Sequence, residues 1–211
     1  MTRTAFVTGA TGFVGRHLIE QLAAGGWRIV AFHRPSSDLS VLGGLEVEPA
    51  AGVLHERESV AAAMPKGVDA VFHVAADTSM WSGHRDRQVR TNVDGTRAVV
   101  RAAIERGAGR LVHTSTWGTF DLERSGEITE GSPRAPADSP NGYVRTQLLA
   151  EDEVIVRRRR KDRVKTVNIA PFIRHIRLRG RAVSIRVSSD QENTSWRLGV
   201  PRLEMRTDGS R

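Results

Sequence analysis

The sequence predicts an α/β fold in three layers, with a doubly wound parallel sheet between two layers of helices. Short apolar runs alternate with longer amphipathic segments, which is the order expected of repeated β-α units with right-handed crossovers. The run at residues 68–74 is apolar on both of its faces, as is typical of a strand buried inside a parallel sheet. A glycine-rich turn joins the first predicted strand to the first predicted helix, a connection typical of the same fold.

The predicted elements follow one another in strand-helix order over the 211 residues of the chain. In the first helix, Val14, Leu18 and Leu22 recur on one face, and Gly25 marks its end. Residues 119–140 are rich in Gly, Pro, Ser and charge and are predicted to be a loop. Strands are predicted at 5–7, 28–32, 45–47, 68–74, 111–113 and 164–169, and helices at 14–24, 58–64, 86–106 and 142–157.

The turn after the first strand has a spacing that suits the binding of a dinucleotide. Gly9 lets the chain turn sharply, Gly12 lets the backbone approach a bulky anion, and Gly15 lets the helix pack close to the sheet. The N–H groups of the first helical turn then point at a diphosphate. The predicted cofactor contacts of this turn are Thr8, Gly9, Thr11, Gly12, Phe13, Val14 and Gly15.

The end of the second strand bears on the choice between NAD and NADP. An acidic residue at this place commonly binds the ribose 2′-hydroxyl of NAD, whereas an arginine accommodates the 2′-phosphate of NADP. The sequence has Arg34 there, followed by two serines and no carboxylate before Asp38. We therefore predict NADP as the cofactor, with NAD as the alternative; a simple solvated turn at Pro35 would also explain the composition.

Composition excludes several functional classes. The chain has no cysteine, which rules out disulfides and thiolate metal sites and favours a cytoplasmic protein. No apolar run approaches about 18 residues and no signal peptide is recognisable, so neither a membrane span nor secretion is predicted. The seven histidines show no paired spacing of metal ligands, so no metal is expected.

The net charge of +8 is unevenly distributed. Residues 1–156 carry a net charge of −3, whereas residues 157–211 carry +11. The basic run at 157–161 follows a predicted helix, where it complements the helix dipole. The main domain is therefore not predicted to bind nucleic acid, and docking of the basic tail on a polyanion stays an alternative.

Taken in order, these motifs resemble the extended short-chain dehydrogenase/reductase superfamily, in its NAD-dependent epimerase/dehydratase group. The resemblance is greatest to the branch that contains dihydroflavonol reductases and 3β-hydroxysteroid dehydrogenases. It covers roughly residues 3–172 and implies a Rossmann-type domain. The matching pieces are residues 8–15, 34–38, 71–76, 92–96, 112–116 and 143–147.

The resemblance implies a catalytic group of a Ser or Thr, a Tyr and a Lys beside the nicotinamide ring. Thr116 matches the hydroxyl that binds the substrate oxygen, with its neighbour Ser115 less suited to that role. Tyr143 matches the group that exchanges a proton with that oxygen. Gln147 stands where the family has the lysine that favours phenolate and binds the nicotinamide ribose. The resemblance also implies cofactor contacts at Ala75, Ala76, Asn92 and Thr114.

Two departures from the family pattern affect the predicted activity. Gln147 carries no charge, and general acid–base catalysis contributes about 10²–10⁴-fold, so we expect a large loss of rate without loss of the fold. After the predicted Rossmann-type domain at 1–172, the pattern dissolves into an arginine-rich segment at 173–211. We predict a basic, divergent and poorly ordered tail there, with the substrate-binding lobe missing or degenerate.

The predicted function is that of an NADP-dependent oxidoreductase with reduced activity on a secondary alcohol or ketone. Two alternatives stay open: a non-catalytic dinucleotide-binding protein or inactive fragment, and a nucleotide-sugar epimerase or dehydratase. The expected partner is a small carbonyl or alcohol compound. The resemblance also implies a homodimer formed through the helices at 86–106 and 142–157.

Overall fold

The main sheet of the protein is entirely parallel. The structure is a computed structural model that describes residues 2–79, 82–121, 128–129, 131–155, 165–168, 173–179 and 182–187. In these ranges, six strands form the sheet in the order β3-β2-β1-β4-β5-β6. Every neighbouring pair is parallel. The strands are β1 (Thr4–Thr8), β2 (Arg28–His33), β3 (Glu48–Ala51), β4 (Ala70–His73), β5 (Arg110–His113) and β6 (Lys165–Asn168).

Helices connect the strands. A π-helical segment at Val89–Asp94 continues α3 directly into α4, and short 3₁₀ turns cover Ser40–Leu42, Ser82–His84 and Trp117–Thr119. The α-helices are α1 (Phe13–Ala24), α2 (Arg57–Ala63), α3 (Arg85–Gln88), α4 (Gly95–Glu105) and α5 (Gly142–Ile155).

The two faces of the sheet pack against different helices. On β1, Phe6 faces a core that includes Val60 of α2 and Val99 of α4. Its neighbour Val7 faces the other core, which includes Ile19 of α1. Successive side chains of a strand point to opposite faces, so one apolar strand supplies both cores. This arrangement confirms the predicted three-layer, doubly wound fold.

The order of the strands reverses between β1 and β4. From β1 the chain runs outward through β2 and β3, and it then returns to β4 on the other side of β1. In such a sheet, ligands bind outside the carboxyl ends of the strands at the point of reversal. The turns after β1 and β4 meet at this edge, where Gly9 packs against the backbone of Ala75.

The structure corrects two local predictions. The third strand is Glu48–Ala51, not the apolar run at 45–47, because Leu45 and Val47 pack on the core beside α1 while the edge strand itself is largely exposed. In α1, the side chain of Val14 is exposed, and the fully buried positions are Gly15, Ile19 and Leu22. Leu22 is thus buried as predicted, whereas the other two buried positions lie one residue after Val14 and Leu18, and Leu18 is only partly buried.

A second, smaller sheet follows the main one. It consists of β7 (Ile173–Arg179) and β8 (Ala182–Val187), which pair in an antiparallel hairpin. This hairpin lies in the predicted tail at 173–211, of which residues 180–181 and 188–211 lie outside the described residues. The main sheet lies within the predicted domain at 1–172.

Candidate functional site

The turn between β1 and α1 contains three glycines with different roles. Gly9 has a φ of +71°, and a Cβ there would lie 2.7 Å from the backbone nitrogen of Ala75. A Cβ on Gly15 would overlap the carbonyl group of Gly9, at 2.8 Å from its carbon. Gly12 is exposed, and a Cβ there would meet only the Gly9 oxygen, at 3.3 Å. Packing within the protein thus requires Gly9 and Gly15, whereas Gly12 leaves its side of the turn open.

The first turn of α1 lies beside this opening. No side chain caps the helix, and Gly12, Phe13 and Val14 are all exposed. An uncapped helix N-terminus presents backbone N–H donors and the positive end of the helix dipole. The turn can therefore bind a diphosphate through backbone atoms alone.

Behind the turn, buried hydrogen bonds join β1 to the segment after β4. The Thr8 hydroxyl accepts hydrogen bonds from the backbone N–H groups of Val74 (3.2 Å) and Ala75 (3.3 Å), and it lies 2.7 Å from Nδ1 of His73. The other ring nitrogen of His73 lies 2.9 Å from the Thr96 hydroxyl. Because Thr8 is fully buried and paired within the protein, its hydroxyl shapes the edge of the sheet and is not presented to a ligand.

Two buried histidines lie side by side at the ends of β4 and β5. The ring centroids of His73 and His113 are 5.3 Å apart. Burial lowers the pKa of His73 well below its usual range, and the neighbouring His113 lowers it further. Burial lowers the pKa of His113 to about 4. Both rings are therefore neutral at pH 7, and no described residue pairs with either ring nitrogen of His113.

Asn92, a predicted cofactor contact, is buried in the π-helical segment. Its amide oxygen accepts from the backbone N–H of Asp77 (2.7 Å). Its amide nitrogen donates to the carbonyl oxygen of Asp77 (3.0 Å) and to the hydroxyl of Thr146 on α5 (2.9 Å). The side chain thus ties the segment after β4 to α5 and has little capacity left for a ligand. Departures from regular α-helix often occur at functional sites.

The structure brings Thr116 and Tyr143 together. The Asn141 side chain caps α5 by accepting a hydrogen bond from the backbone N–H of Tyr143 (3.0 Å). This cap fixes the position of Tyr143 in the first turn of the helix. The Tyr143 side chain is half-buried and lies near the Thr116 hydroxyl. Burial raises the pKa of Tyr143 above its usual range, although the hydrogen bond from Thr116 acts to lower it. The phenol is therefore protonated at neutral pH.

Gln147 lies one helical turn after Tyr143 on α5. Its side chain is only 2% exposed, and its amide oxygen has no hydrogen-bond partner among the described residues. A buried polar atom without a partner costs about 1–3 kcal/mol, so such atoms are rare unless a ligand or water completes them. A ribose hydroxyl is a donor of the kind that this oxygen lacks.

Arg34 lies exposed at the carboxyl end of β2. The backbone forms a tight turn in which the carbonyl oxygen of Arg34 accepts from the N–H of Ser37 (2.9 Å) and lies 2.9 Å from Nδ1 of His33. Among the residues described, none forms an ion pair with the Arg34 guanidinium. Its positive charge is therefore available to a ligand at the edge of the sheet.

Sequence reasoning missed a buried carboxylate near the site, that of Glu151. This residue follows Tyr143 and Gln147 at spacings of four on α5 and is 3% exposed. Its carboxylate accepts from the hydroxyl of Ser115 and forms an ion pair with Arg134. The regular spacing from Tyr143 was the signal that could have revealed it, because residues four apart share one helix face.

In the ranges that the structure describes, no helix is long and apolar enough to cross a membrane. The same ranges contain no group of three or more His, Asp or Glu side chains that could hold a metal ion.

Comparison with known proteins identifies the relatives of this chain. The family model for the NAD dependent epimerase/dehydratase family matches residues 5–173. A protein of Methylococcus capsulatus named sterol demethylase protein B is 37% identical over 170 residues, which are 81% of this chain and 52% of that protein. A 3-beta-hydroxysteroid dehydrogenase of Mycolicibacterium neoaurum is 34% identical over 157 residues, covering 71% of this chain and 42% of that protein.

Solved structures show the same relationship. A short-chain dehydrogenase/reductase superfamily protein from Agrobacterium tumefaciens, solved with bound NAD, is 31% identical and has a TM-score of 0.67. The alignment covers 79% of this chain and 48% of that one. The chain thus spans about half the length of the relatives it matches.

Proposed function

Because the chain belongs to the NAD dependent epimerase/dehydratase family, we propose that it binds a nicotinamide dinucleotide and interconverts a ketone and a secondary alcohol. The observation that carries this proposal is that Thr116, in the turn after β5, and Tyr143, in the first turn of α5, lie close together. The pair follows β5 and begins α5, so it lies at the same edge of the sheet as the glycine turn after β1. A proton donor beside a dinucleotide turn is the arrangement that carbonyl reduction needs.

Three features of the chain fit the cofactor. Gly12 leaves room at the turn, the first turn of α1 has uncapped N–H donors for a diphosphate, and Gln147 offers a buried, unpaired oxygen to a ribose hydroxyl. Ala75, Ala76 and Thr114 extend the list of proposed contacts, because they lie at the same edge after β4 and β5. Thr8 and Asn92 support this edge through their own hydrogen bonds.

The chemistry divides between the cofactor and the chain. When bound, the nicotinamide supplies a hydride to the carbonyl carbon or accepts it from the alcohol. Thr116 positions the substrate oxygen. As the carbonyl electron pair moves onto that oxygen, Tyr143 donates its proton and becomes a phenolate, which then regains a proton from solvent. Burial raises the pKa of Tyr143, so the phenol is in the protonated form that carbonyl reduction requires.

Gln147 limits the proposed rate, because its amide carries no charge that would stabilise the Tyr143 phenolate. The variant Gln147→Lys tests this directly. Tyr143 is the only tyrosine of the chain, so ultraviolet absorbance reports its ionisation without interference from another phenol. We expect the Tyr143 pKa to fall by about one pH unit and the turnover of a panel of cyclic ketones and 3-ketosteroids to rise about tenfold or more.

The matched control is Gln147→Met, which is similar in length and uncharged. This variant is not expected to lower the Tyr143 pKa. A lowered pKa in Gln147→Lys without faster turnover would contradict the view that Gln147 sets the rate, and would place the limit in substrate binding.

We also propose that the cofactor is NADP in preference to NAD. The exposed Arg34 and the absence of any Asp or Glu from residues 33–37 support this choice. Calorimetric titration of the purified chain with NADPH, and separately with NADH, tests it. Binding of NADPH about tenfold tighter than NADH is expected. Binding of neither cofactor would overturn the proposed function.

Gln147 also favours a second candidate function, that of a dinucleotide-binding protein without catalytic activity. In that case NADPH binds, but neither the wild type nor Gln147→Lys turns over any compound of the ketone panel. Turnover in either protein excludes this candidate.

A further inference from the structure

The carboxylate of Glu151 makes contacts on both of its oxygens. Oε1 accepts from the Ser115 hydroxyl and lies 3.2 Å from the Thr119 hydroxyl. Oε2 pairs with the guanidinium of Arg134. A buried carboxylate is costly unless such partners satisfy it. Glu151 is thus well paired, and its partners all lie outside α5.

The two hydroxyl partners stand at either end of the turn that carries Thr116. Ser115 precedes Thr116, and Thr119 closes the 3₁₀ turn at Trp117–Thr119. Thr119 also donates to the carbonyl oxygen of Thr116 (2.8 Å), so its single proton is shared between Thr116 and Glu151. The carboxylate therefore holds the turn from both ends.

The third partner, Arg134, holds its own segment of the chain against the same turn. Arg134 forms an isolated antiparallel bridge with Phe120, and its guanidinium lies 4.7 Å from the centroid of the Phe120 ring. The neighbouring backbone N–H of Ala135 donates to the carbonyl oxygen of Thr119 (2.9 Å). The loop and the turn thus share one buried anion on α5.

We propose that Glu151 is a positioning residue, whose carboxylate holds the turn around Thr116 so that the Thr116 hydroxyl stays against Tyr143. The catalytic meaning of this position rests on the proposed function, whereas the contacts themselves do not. Glu151 acts through the partners of its carboxylate, which are Ser115, Thr119 and Arg134.

The competing explanation is that Glu151 acts on Tyr143 only through its charge. The two explanations predict opposite signs. Removing a nearby negative charge lowers the pKa of a phenol, because phenolate is then less repelled. Losing the hydrogen bond from Thr116 raises the pKa, because that bond stabilises the phenolate.

The test is therefore the ionisation of the single tyrosine in three variants, followed by ultraviolet absorbance. In Glu151→Leu and in Ser115→Ala, we expect the Tyr143 pKa to rise by about one pH unit. In Glu151→Gln, whose amide oxygen can still accept from Ser115, no rise is expected. A fall or no change in both Glu151→Leu and Ser115→Ala would overturn the proposal.

A control separates positioning from a general loss of stability. Val154→Ala creates a cavity under the same helix and does not touch the turn, since Val154 belongs to the core between α5 and the sheet. It is expected to leave the Tyr143 pKa unchanged; an equal rise there would also overturn the proposal. If Glu151→Leu does not fold, Ser115→Ala decides the outcome, because it leaves the buried carboxylate in place.

The same variants separate this inference from the proposed function. Where the wild type reduces a ketone, Ser115→Ala should lower kcat about tenfold or more and leave KM for NADPH unchanged, because only Thr116 is displaced. An unchanged kcat would overturn the role of Glu151 in the reaction. If the wild type shows no turnover, the proposed function fails, and the tyrosine titration still decides whether Glu151 positions Thr116.

Discussion

The carboxyl edge of the sheet has two sides, here called walls, that differ in how many of their polar groups are paired within the protein. The open wall consists of the glycine turn at 8–16 and the end of β2 at 33–37. There, Gly12 is exposed, α1 has no side-chain cap and Arg34 has no partner for its charge among the residues described. The closed wall consists of the turn at 114–119, the π-helical segment and the first three turns of α5.

In the closed wall, polar side chains are paired with one another. The Asn92 amide forms hydrogen bonds with Asp77 and Thr146. The Glu151 carboxylate interacts with three donors, which are two hydroxyl groups and one guanidinium. Among the buried side-chain atoms of this wall that the structure describes, the oxygen of Gln147 has no partner. The comparison shows a division between the two walls. Polar groups without a partner lie where we propose that the cofactor binds, whereas polar groups around the proposed catalytic side chains are hydrogen-bonded within the protein and hold those side chains in place.

The largest effect should follow from a methyl group placed inside the open wall. In Gly15→Ala the added Cβ overlaps the carbonyl group of Gly9, and neither backbone can move far. We expect a loss of about 3 kcal/mol or more in the free energy of unfolding. The matched variant Gly12→Ala should remain folded and lose about tenfold or more in NADPH affinity. Urea unfolding and calorimetry measure the two effects, and equal destabilisation of both variants would contradict the distinction between the glycines.

The next effect concerns the closed wall and the chemical step. Tyr143→Phe removes the proposed proton donor and keeps the ring in its pocket. Turnover should fall by about 10²–10⁴-fold, while NADPH affinity stays within about twofold of the wild type. Steady-state kinetics and calorimetry check this. Unchanged turnover would show that another group donates the proton.

A third prediction concerns the histidines buried behind both walls. Burial lowers the folded-state pKa of His113 to about 4, below the ordinary value near 6.5. Its contribution to stability is therefore full above about pH 6.5 and is lost as the pH falls towards 4, because the unfolded chain then binds a proton that the folded chain resists. The free energy of unfolding should fall by about 3 kcal/mol across this range.

Urea unfolding at several pH values measures this loss. His113→Phe should flatten the dependence on pH, whereas substitution of the exposed His55 by Gln should leave it unchanged. The buried His73 adds to the loss in the same direction, since its pKa is also lowered. Equal pH dependence in the wild type and His113→Phe would contradict the prediction for His113.

The smallest effect is expected at the outer end of the open wall. Arg34→Ala should weaken NADPH binding by about tenfold and leave NADH binding unchanged, because only NADPH carries the 2′-phosphate. Arg3→Ala is a matched control, since Arg3 instead lies over the Trp27 ring, 4.3 Å from its centroid. An equal loss for both cofactors in Arg34→Ala would show that the arginine has another role.

Much of the fold followed from local pattern. The apolar runs and their spacing predicted the parallel sheet, whereas the strand order and its reversal between β1 and β4 were seen only in the structure. The family resemblance is confirmed by the matching family model. Local pattern was misleading at the third strand, because Leu45 and Val47 are apolar for packing beside α1 and not for pairing.

The sequence by itself determined which residues are apolar, how they recur and where glycine permits a turn, and these properties specify strands, helices and their order. Only the tertiary structure decided which polar groups form hydrogen bonds within the protein and which remain available to a ligand. Ser115 and Glu151 are 36 residues apart, and Asn92 and Thr146 are 54 apart. No local period records such contacts, because they exist only once the sheet has brought β5, the π-helical segment and α5 to one edge.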